Sequence, residues 1–195
     1  MVAALAFDAE RHAFTRFGKP VPSVTQVLRA CGLTSRWGTT EARDRGTRVH
    51  RALDTLQAFS DAAARETLEQ DDLPFYEAGI VALTTFGIEV LAAEELVDGG
   101  TYAGWLDLRV KLRGENDPYV IDFKTGSLAP STRIQLTAYA APQPFRHKRA
   151  AIVLKPNGSP KLVTFDHDMQ DLWDWRACLA VASLQRAFNT GESDD

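Results

Sequence analysis

Two aspartates and one lysine lie inside two largely apolar stretches that have the pattern of neighbouring β-strands. Asp107 lies in the stretch 102–112, and Asp122 and Lys124 lie in the stretch 119–124. A short segment rich in turn-forming residues separates the two stretches. A buried carboxylate without a partner costs several kcal/mol or more. Two aspartates in adjacent strands therefore need a shared compensation.

A divalent cation would supply that compensation. Side chains alternate along a strand, so Asp122 and Lys124 are predicted to share one face while Phe123 points to the other. Mg²⁺ binds carboxylate and carbonyl oxygens, polarises a phosphate and lowers the pKa of a bound water. Lys124 could hold that water or stabilise charge on a phosphorane-like transition state. These residue types fit metal-assisted hydrolysis of a phosphodiester.

Ordinary ion pairs are the alternative interpretation of the same residues. Asp107 could pair with Lys124, or Asp122 with Arg109, on a solvated face of the sheet. The chain would then be an α/β protein whose charges have no chemical role. The pattern of three residues leaves both interpretations open.

Length and composition indicate one folded domain with an acidic body. The chain has 195 residues, 45% of them apolar and 25% charged, with a net charge of −4. Any surface for nucleic acid must therefore be a local basic patch. Cys31 and Cys178 lack metal-binding spacing, which argues against a zinc finger or an iron–sulfur cluster and favours a reducing compartment. Because neither a membrane-spanning run nor a signal peptide is evident, we expect a cytoplasmic protein with no membrane partner.

The densest basic region of the chain is the segment 36–51, which has five arginines and only two acidic residues. Arg43 and Arg48 lie in it, close to Trp37. Arginines beside an aromatic ring suit a nucleic-acid backbone together with base stacking. Ordinary surface charge on a helix is the alternative.

Two helices carry further candidates at helical spacing. His50 follows Gly46 by one turn, which leaves space over the imidazole for a metal, a phosphate or a close strand. Gln135 and Tyr139 are likewise four residues apart, and could contact the loop after Lys124 or a DNA phosphate. Surface or core positions without chemical roles are the alternatives for all three polar side chains.

A pair of glutamates, Glu94 and Glu95, lies in the apolar run before Asp107. Either could be a further ligand of a metal or its water, with the other one solvated. An exposed strand edge is the alternative.

The remaining pattern predicts an α/β fold with a mixed central sheet flanked by helices. Residues 1–20 are predicted to form an N-terminal arm or hairpin, and residues 190–195 a flexible tail. Ser23 is a good N-cap for the first helix. Asn157-Gly158 is a type I′ hairpin signal. Further helices are predicted at about 39–59, 61–68, 74–86, 132–141 and 168–189, and further strands at 88–97, 149–154 and 161–165.

Taken in chain order, the candidate residues resemble the PD-(D/E)XK nuclease superfamily, in its RecB-like and phage exonuclease branch. The stretch PSVTQVL at 22–28 also resembles the opening helix of such phage nucleases, and the resemblance runs from about residue 22 to residue 139. The motifs that carry it are Gly46-x-x-x-His50, Glu94-x-x-Val97, Gly104-x-x-Asp107, Asp122-Phe123-Lys124 and Gln135-x-x-x-Tyr139.

The resemblance implies a role for each of these residues. Asp107, Asp122 and the Phe123 carbonyl would bind metal, and Lys124 would be the catalytic lysine. His50 would be a further metal ligand or would position a phosphate. Glu94 would support a metal or its water, and Gln135 and Tyr139 would shape the site or touch DNA. The superfamily's proline is absent, since Leu106 precedes Asp107, as in many RecB-like members.

The function implied is a Mg²⁺- or Mn²⁺-dependent deoxyribonuclease without an iron–sulfur cluster, and most simply an exonuclease of phage or recombination and repair type. DNA would be its partner, with a single-strand-annealing protein or a helicase as a further one, in a bacterial or phage-infected cell. The alternative is a non-catalytic nucleic-acid-binding accessory protein on a decayed nuclease scaffold. The intact aspartates and lysine count against decay. Strand preference and oligomeric state stay open.

Overall fold

Eight strands and six helices follow one another along the structure, a computed structural model that describes residues 5–34 and 39–191. The strands are β1 (Ala6–Asp8), β2 (Ala13–Arg16), β3 (Lys19–Val21), β4 (Glu89–Asp98), β5 (Ala103–Lys111), β6 (Tyr119–Thr125), β7 (Lys148–Leu154) and β8 (Pro160–Phe165). The helices are α1 (Val24–Ala30), α2 (Thr40–Ala58), α3 (Asp61–Arg65), α4 (Leu73–Thr85), α5 (Thr132–Ala140) and α6 (Asp168–Gly191), with a 3₁₀ turn at Gln70–Asp72.

A five-stranded mixed sheet in the order β4-β5-β6-β7-β8 organises the fold. Its pairs are antiparallel except β6 and β7, which are parallel because α5 connects them as a crossover. Side chains of adjacent residues such as Val120 and Ile121 enter different core clusters. Ile121 packs with α2 and α4, and Val120 packs with α1, α5 and α6. The predicted mixed sheet flanked by helices is confirmed.

The N-terminal segment forms three strands, one more than a hairpin. The order β1-β2-β3 is antiparallel throughout. Arg16 pairs with Lys19, so Phe17 and Gly18 alone form the turn, and both have positive φ (53° and 72°). Such a two-residue turn reverses the chain at once, so the residues after it begin a third strand.

The turn between β7 and β8 differs from the predicted type I′ geometry. Gly158 has φ 75°, but Asn157 is not among the residues with positive φ, and a type I′ turn needs both. The Asn157 side chain instead accepts hydrogen bonds from the backbone N–H and the hydroxyl of Ser159. This local bonding supports a longer, five-residue connection.

The predicted N-cap of the first helix is confirmed, because Ser23 caps α1 in a reciprocal capping box with Gln26. Thr39, the first residue of the helix predicted at 39–59, is the N-cap of α2. The predicted helix over 61–68 is shorter, because α3 ends at Arg65 and a 3₁₀ turn follows. At the other end of the chain, α6 continues through Gly191, two residues into the predicted tail. Over the described ranges, no helix combines the length and apolar character needed to cross a membrane.

Candidate active site

The site begins where β5 and β6 separate. Their backbone pairing ends at Leu108 and Ile121, one residue before Asp107 would face Asp122. There the Phe123 N–H donates instead to Asp107 Oδ2, at 3.2 Å. A carboxylate thus replaces the carbonyl that a continuing strand would offer. The separation of the strands leaves two aspartates side by side at an opening in the sheet.

Asp122 and Lys124 share a face of β6, as the alternation predicts. Lys124 Nζ lies 2.6 Å from Asp122 Oδ2, yet among the described residues this buried oxygen meets no donor in hydrogen-bonding geometry. The Asp122 side chain is buried, and burial raises its pKa to about 6 against the opposing effect of the Lys124 ammonium. The alternative pairing of Asp122 with Arg109 does not form, because Arg109 donates to Glu95 at 2.8 Å.

His50 reaches this opening from α2 and links the two strands. Its Nδ1 lies 3.1 Å from Asp107 Oδ2, and its Nε2 lies 2.7 Å from the Phe123 carbonyl oxygen. Both ring nitrogens therefore face acceptors, an arrangement that suits the imidazolium. Burial lowers the pKa of His50, but the Asp107 carboxylate outweighs burial and raises it to about 9.

Gly46 allows α2 to come this close to β6. A Cβ atom at position 46 would lie 3.3 Å from the Thr125 side-chain oxygen. The glycine one turn before His50 thus makes room for a close strand, which is one of the uses predicted for it. The close approach brings His50 to the end of β6.

Glu94 joins the site through a residue that the sequence analysis missed. Asp54, on α2, shares a hydrogen bond with Glu94, and Glu94 adopts a left-handed φ of 46° inside β4. Glu94 as a whole is exposed, but partial desolvation of its carboxyl group and then the Asp54 and Asp107 carboxylates raise its pKa to about 7. Asp54 lies four residues after His50, so helical spacing alone could have indicated it. Glu95 pairs with Arg109 instead.

The charges of the site leave an excess that a divalent cation would offset. Two cations, His50 and Lys124, face four carboxyl groups, of which the hydrogen-bonded pair Asp54 and Glu94 shares one proton, so one negative charge is left without compensation. Oxygen donors of this kind, including an Asp122 oxygen without a hydrogen-bonding partner, suit Mg²⁺ or Mn²⁺. Within the described residues, however, no three His, Cys, Asp or Glu side chains already converge on one point. The four carboxyl groups are those of Asp54, Glu94, Asp107 and Asp122.

Gln135 and Tyr139 share a hydrogen bond on α5, but only Gln135 faces the cleft. Gln135 Oε1 accepts from Lys124 Nζ at 3.4 Å and lines the cleft. Tyr139 is buried, and its ring lies against Gly104, where an added Cβ would be 2.8 Å from the ring. Gly104, three residues before Asp107, therefore leaves room for the Tyr139 ring, which packs behind the site.

An open cleft of about 890 Å³ is lined by His50, Asp54, Glu94, Lys124 and Gln135, with Asp107 and Asp122 behind them. Arg43 and Arg51 line it on the α2 side, as the basic patch predicts. Ser131, at the start of α5, makes no capping hydrogen bond and lines the cleft instead. The wall is also rich in hydroxyl groups, which come from Thr25, Thr34, Thr47, Thr125, Ser127, Ser131 and Thr132.

Arg48 belongs to the predicted basic patch but does not reach the cleft. Its guanidinium donates two hydrogen bonds to Asp72, at 2.6 and 3.0 Å, and pairs with Glu69 at 3.2 Å. Asp72 is fully buried, so its carboxylate requires this partner. Arg48 therefore fixes α2 to the 3₁₀ turn. Trp37, the aromatic candidate of the patch, lies outside the described residues.

We expect the stability of the metal-free protein to depend on pH. Its free energy of unfolding should fall by about 1–3 kcal/mol as the pH rises from about 5 to about 9. The pKa values of Asp122, Glu94 and His50 are raised to about 6, about 7 and about 9. Each group binds its proton more tightly in the folded state, so its stabilisation is lost as the pH passes its folded pKa. The pKa of Asp107 is lowered, so its contribution to stability is fully present from about pH 5 upwards and does not change in this range.

Urea unfolding at stepped pH in EDTA measures this dependence. The Asp122→Asn protein serves as the control, and its loss of stability near pH 6 should be smaller than that of the wild type. A flat profile for the wild type would contradict the crowding of carboxylates described above.

Comparison with known proteins does not assign a family. No family model matches the chain, and no curated protein matches it either. The crystal structure of SSO0001 is similar over 83% of this chain and 84% of that chain, with a TM-score of 0.35 and 14% sequence identity. A likeness at this level carries no argument about function, so the case for a function depends on the site itself.

Proposed function

We propose that the protein is a Mg²⁺- or Mn²⁺-dependent deoxyribonuclease of the PD-(D/E)XK type. The observation that carries the proposal is the group formed by Asp107, Asp122 and Lys124. Two aspartates from separating strands lie behind a lysine that shares a face with one of them, and this lysine lines an open cleft. Residue types and order agree with the resemblance found in the sequence.

Asp107, Asp122 and the Phe123 carbonyl are the groups that would hold the cation, with His50 beside them. When bound, Mg²⁺ or Mn²⁺ would polarise the scissile phosphate and lower the pKa of a water molecule. In this structure the His50 Nε2 is hydrogen-bonded to the Phe123 carbonyl oxygen at 2.7 Å. A cation at that carbonyl would therefore require the imidazole to turn away or to lose a proton.

Lys124 would act as a hydrogen-bond donor. Its ammonium lies 2.6 Å from the Asp122 carboxylate, which favours the charged form. A charged lysine can hold the attacking water by its oxygen and stabilise negative charge on the phosphate as the bond to the leaving oxygen breaks. Gln135, 3.4 Å from Nζ, would keep the ammonium directed towards the cleft.

The walls of the cleft suit the backbone of a nucleic acid. Arg43 and Arg51 can pair with phosphates, and the hydroxyl groups around them can donate to phosphate oxygens. The chain as a whole has a net charge of −4, so this local set of donors would provide the attraction. The choice of DNA over RNA comes from the resemblance.

Digestion of four DNA substrates tests the proposal: linear and circular DNA, each single- and double-stranded, with Mg²⁺, Mn²⁺ or EDTA. Metal-dependent loss of linear DNA alone would indicate an exonuclease, and cutting of circles an endonuclease. An RNA substrate of the same sequence tests the choice of nucleic acid. If no substrate is cut while DNA still binds, the accessory-protein alternative replaces the nuclease.

A further inference from the structure

The outward face of α6 carries a continuous apolar stripe. Its five large side chains are between 40% and 72% exposed in the described structure, and they are Met169, Trp173, Val181, Leu184 and Phe188. Their spacing of three, four or eight residues places them on one side of the helix. Exposed apolar residues are usually scattered singly, so an ordered stripe indicates an interaction surface.

The opposite face of α6 is already used by the core. Trp175, Cys178 and Ala182 are buried there against α1 and α5. The helix is thus apolar on two opposite faces, and a helix with this character normally has neighbours on both. The stripe needs an occupant that the rest of the described chain does not provide.

A two-fold axis between positions 180 and 181 would set each residue of one α6 against the residue of the other copy that lies equally far on the opposite side of that point. Trp173 and Phe188 are equally far from that point, and so are Ala177 and Leu184. If a second α6 lies antiparallel across the stripe, each Leu184 faces an Ala177 of the other copy. A large side chain then fills the space over a small one, as close helix packing requires.

From this complementarity we propose that α6 pairs with α6 of a second copy of the chain, antiparallel across a two-fold axis near residues 180 and 181. A two-fold interface uses the same patch on both copies, so the patch must be complementary to itself. The stripe meets that condition at two places, because each Leu184 would face an Ala177 and each Trp173 ring would face a Phe188 ring of the other copy.

The chemistry beside the stripe favours another protein surface over a nucleic acid or an anionic membrane, which would require a row of basic residues. Arg176 stacks on the Trp173 ring, 5.7 Å from its centre, and Asp174 pairs with Arg133. The stacked arginine also orders Trp173, which makes this tryptophan the main anchor of the interface.

The size of the stripe predicts a reversible dimer. With each of these large side chains exposing on the order of 100 Å² of apolar surface, the five together offer roughly 500 Å² per copy. Two copies would bury roughly 1,000 Å², which is at the lower limit for a specific interface. We therefore expect a dissociation constant in the range of roughly 1–100 µM.

Sedimentation velocity over a range of concentrations tests the pairing. The wild type should shift towards twice the chain mass of 21.5 kDa as its concentration increases. Leu184→Glu, which places a charge in the stripe, should weaken association at least about tenfold, since a buried unpaired charge is costly. Ser183→Glu adds the same charge on an exposed neighbouring position outside the stripe, and should associate as the wild type does.

Two outcomes of this experiment would overturn the proposal. One is a wild type that stays monomeric at concentrations of about 100 µM. The other is equal association of Leu184→Glu and the wild type. A trimer or larger assembly would likewise exclude a two-fold pair as the unit.

Disulfide trapping tests the direction of the helices. In an antiparallel pair, Val181→Cys lies next to its own copy at the axis and should form a covalent dimer under mild oxidation. Trp173→Cys should not, because the two copies of residue 173 would be roughly 20 Å apart. Trapping at both positions would indicate a parallel pair and contradict the proposal. The wild type, with Cys31 and Cys178 only, is the blank.

Discussion

The Lys124→Ala protein is expected to cleave DNA at least about 10²- to 10³-fold more slowly than the wild type, which is the usual effect of removing one donor to a transition state. Lys124 is the cationic side chain closest to Asp122, at 2.6 Å, and it borders the cleft. Alanine removes the donor but leaves both aspartates. The comparison is made from single-turnover cleavage rates at saturating Mg²⁺.

The fold should survive this change, because Asp122 can take up a proton when its partner is gone. Its pKa is already raised to about 6 by burial. Circular dichroism and urea unfolding near pH 5 check the fold independently of activity. Lys155→Ala removes a lysine from the exposed turn between β7 and β8 and is the matched control. Near wild-type cleavage by Lys124→Ala would exclude a catalytic role for this site.

Mn²⁺ or Mg²⁺ is expected to raise the melting temperature of the wild type by about 5–10 °C when the metal concentration is about a hundred times its dissociation constant. A ligand that binds only the folded state stabilises it by mass action. Asp107→Asn and Asp122→Asn each remove one charged ligand from the proposed site. Both proteins should therefore lose most of the metal-dependent shift, and cleavage with it.

Thermal melting with added Mn²⁺, Mg²⁺ or EDTA measures the shift. Asp71→Asn removes a carboxylate from an exposed position on the 3₁₀ turn and controls for general charge effects. If all four proteins respond equally to the cations, the metal does not bind at Asp107 and Asp122. Loss of the shift in both site variants, with cleavage retained, would separate stabilisation from chemistry and contradict a catalytic metal.

Local patterns in the sequence predict the parts of the site that depend on one element. Strand alternation places Asp122 and Lys124 on one face. Helical spacing places Gly46 and His50 on the side of α2 that meets β6. Ser23 marks the start of α1. These relations follow from the geometry of a single strand or helix, so residue order is sufficient to predict them.

Contacts between different elements cannot be predicted in this way, because they depend on how the helices cross the sheet. Arg48 shares the basic segment with Arg43, yet it turns to the buried Asp72 while Arg43 lines the cleft. The carboxyl pair of Asp54 and Glu94 forms only where α2 passes over β4. The density of charged residues along the chain does not indicate where each side chain points. The partners of these residues could therefore be identified only in the folded structure.

The sequence by itself therefore determined the mixed α/β fold, the order of its elements and the three residues on which the proposed chemistry depends. Only the tertiary structure decided which carboxylates crowd together, which arginines face the cleft and which face of α6 is left exposed. The physical reason is that local periodicity fixes the direction of a side chain relative to its own element. Its partners are fixed by contacts between residues far apart in the chain, which periodicity does not encode.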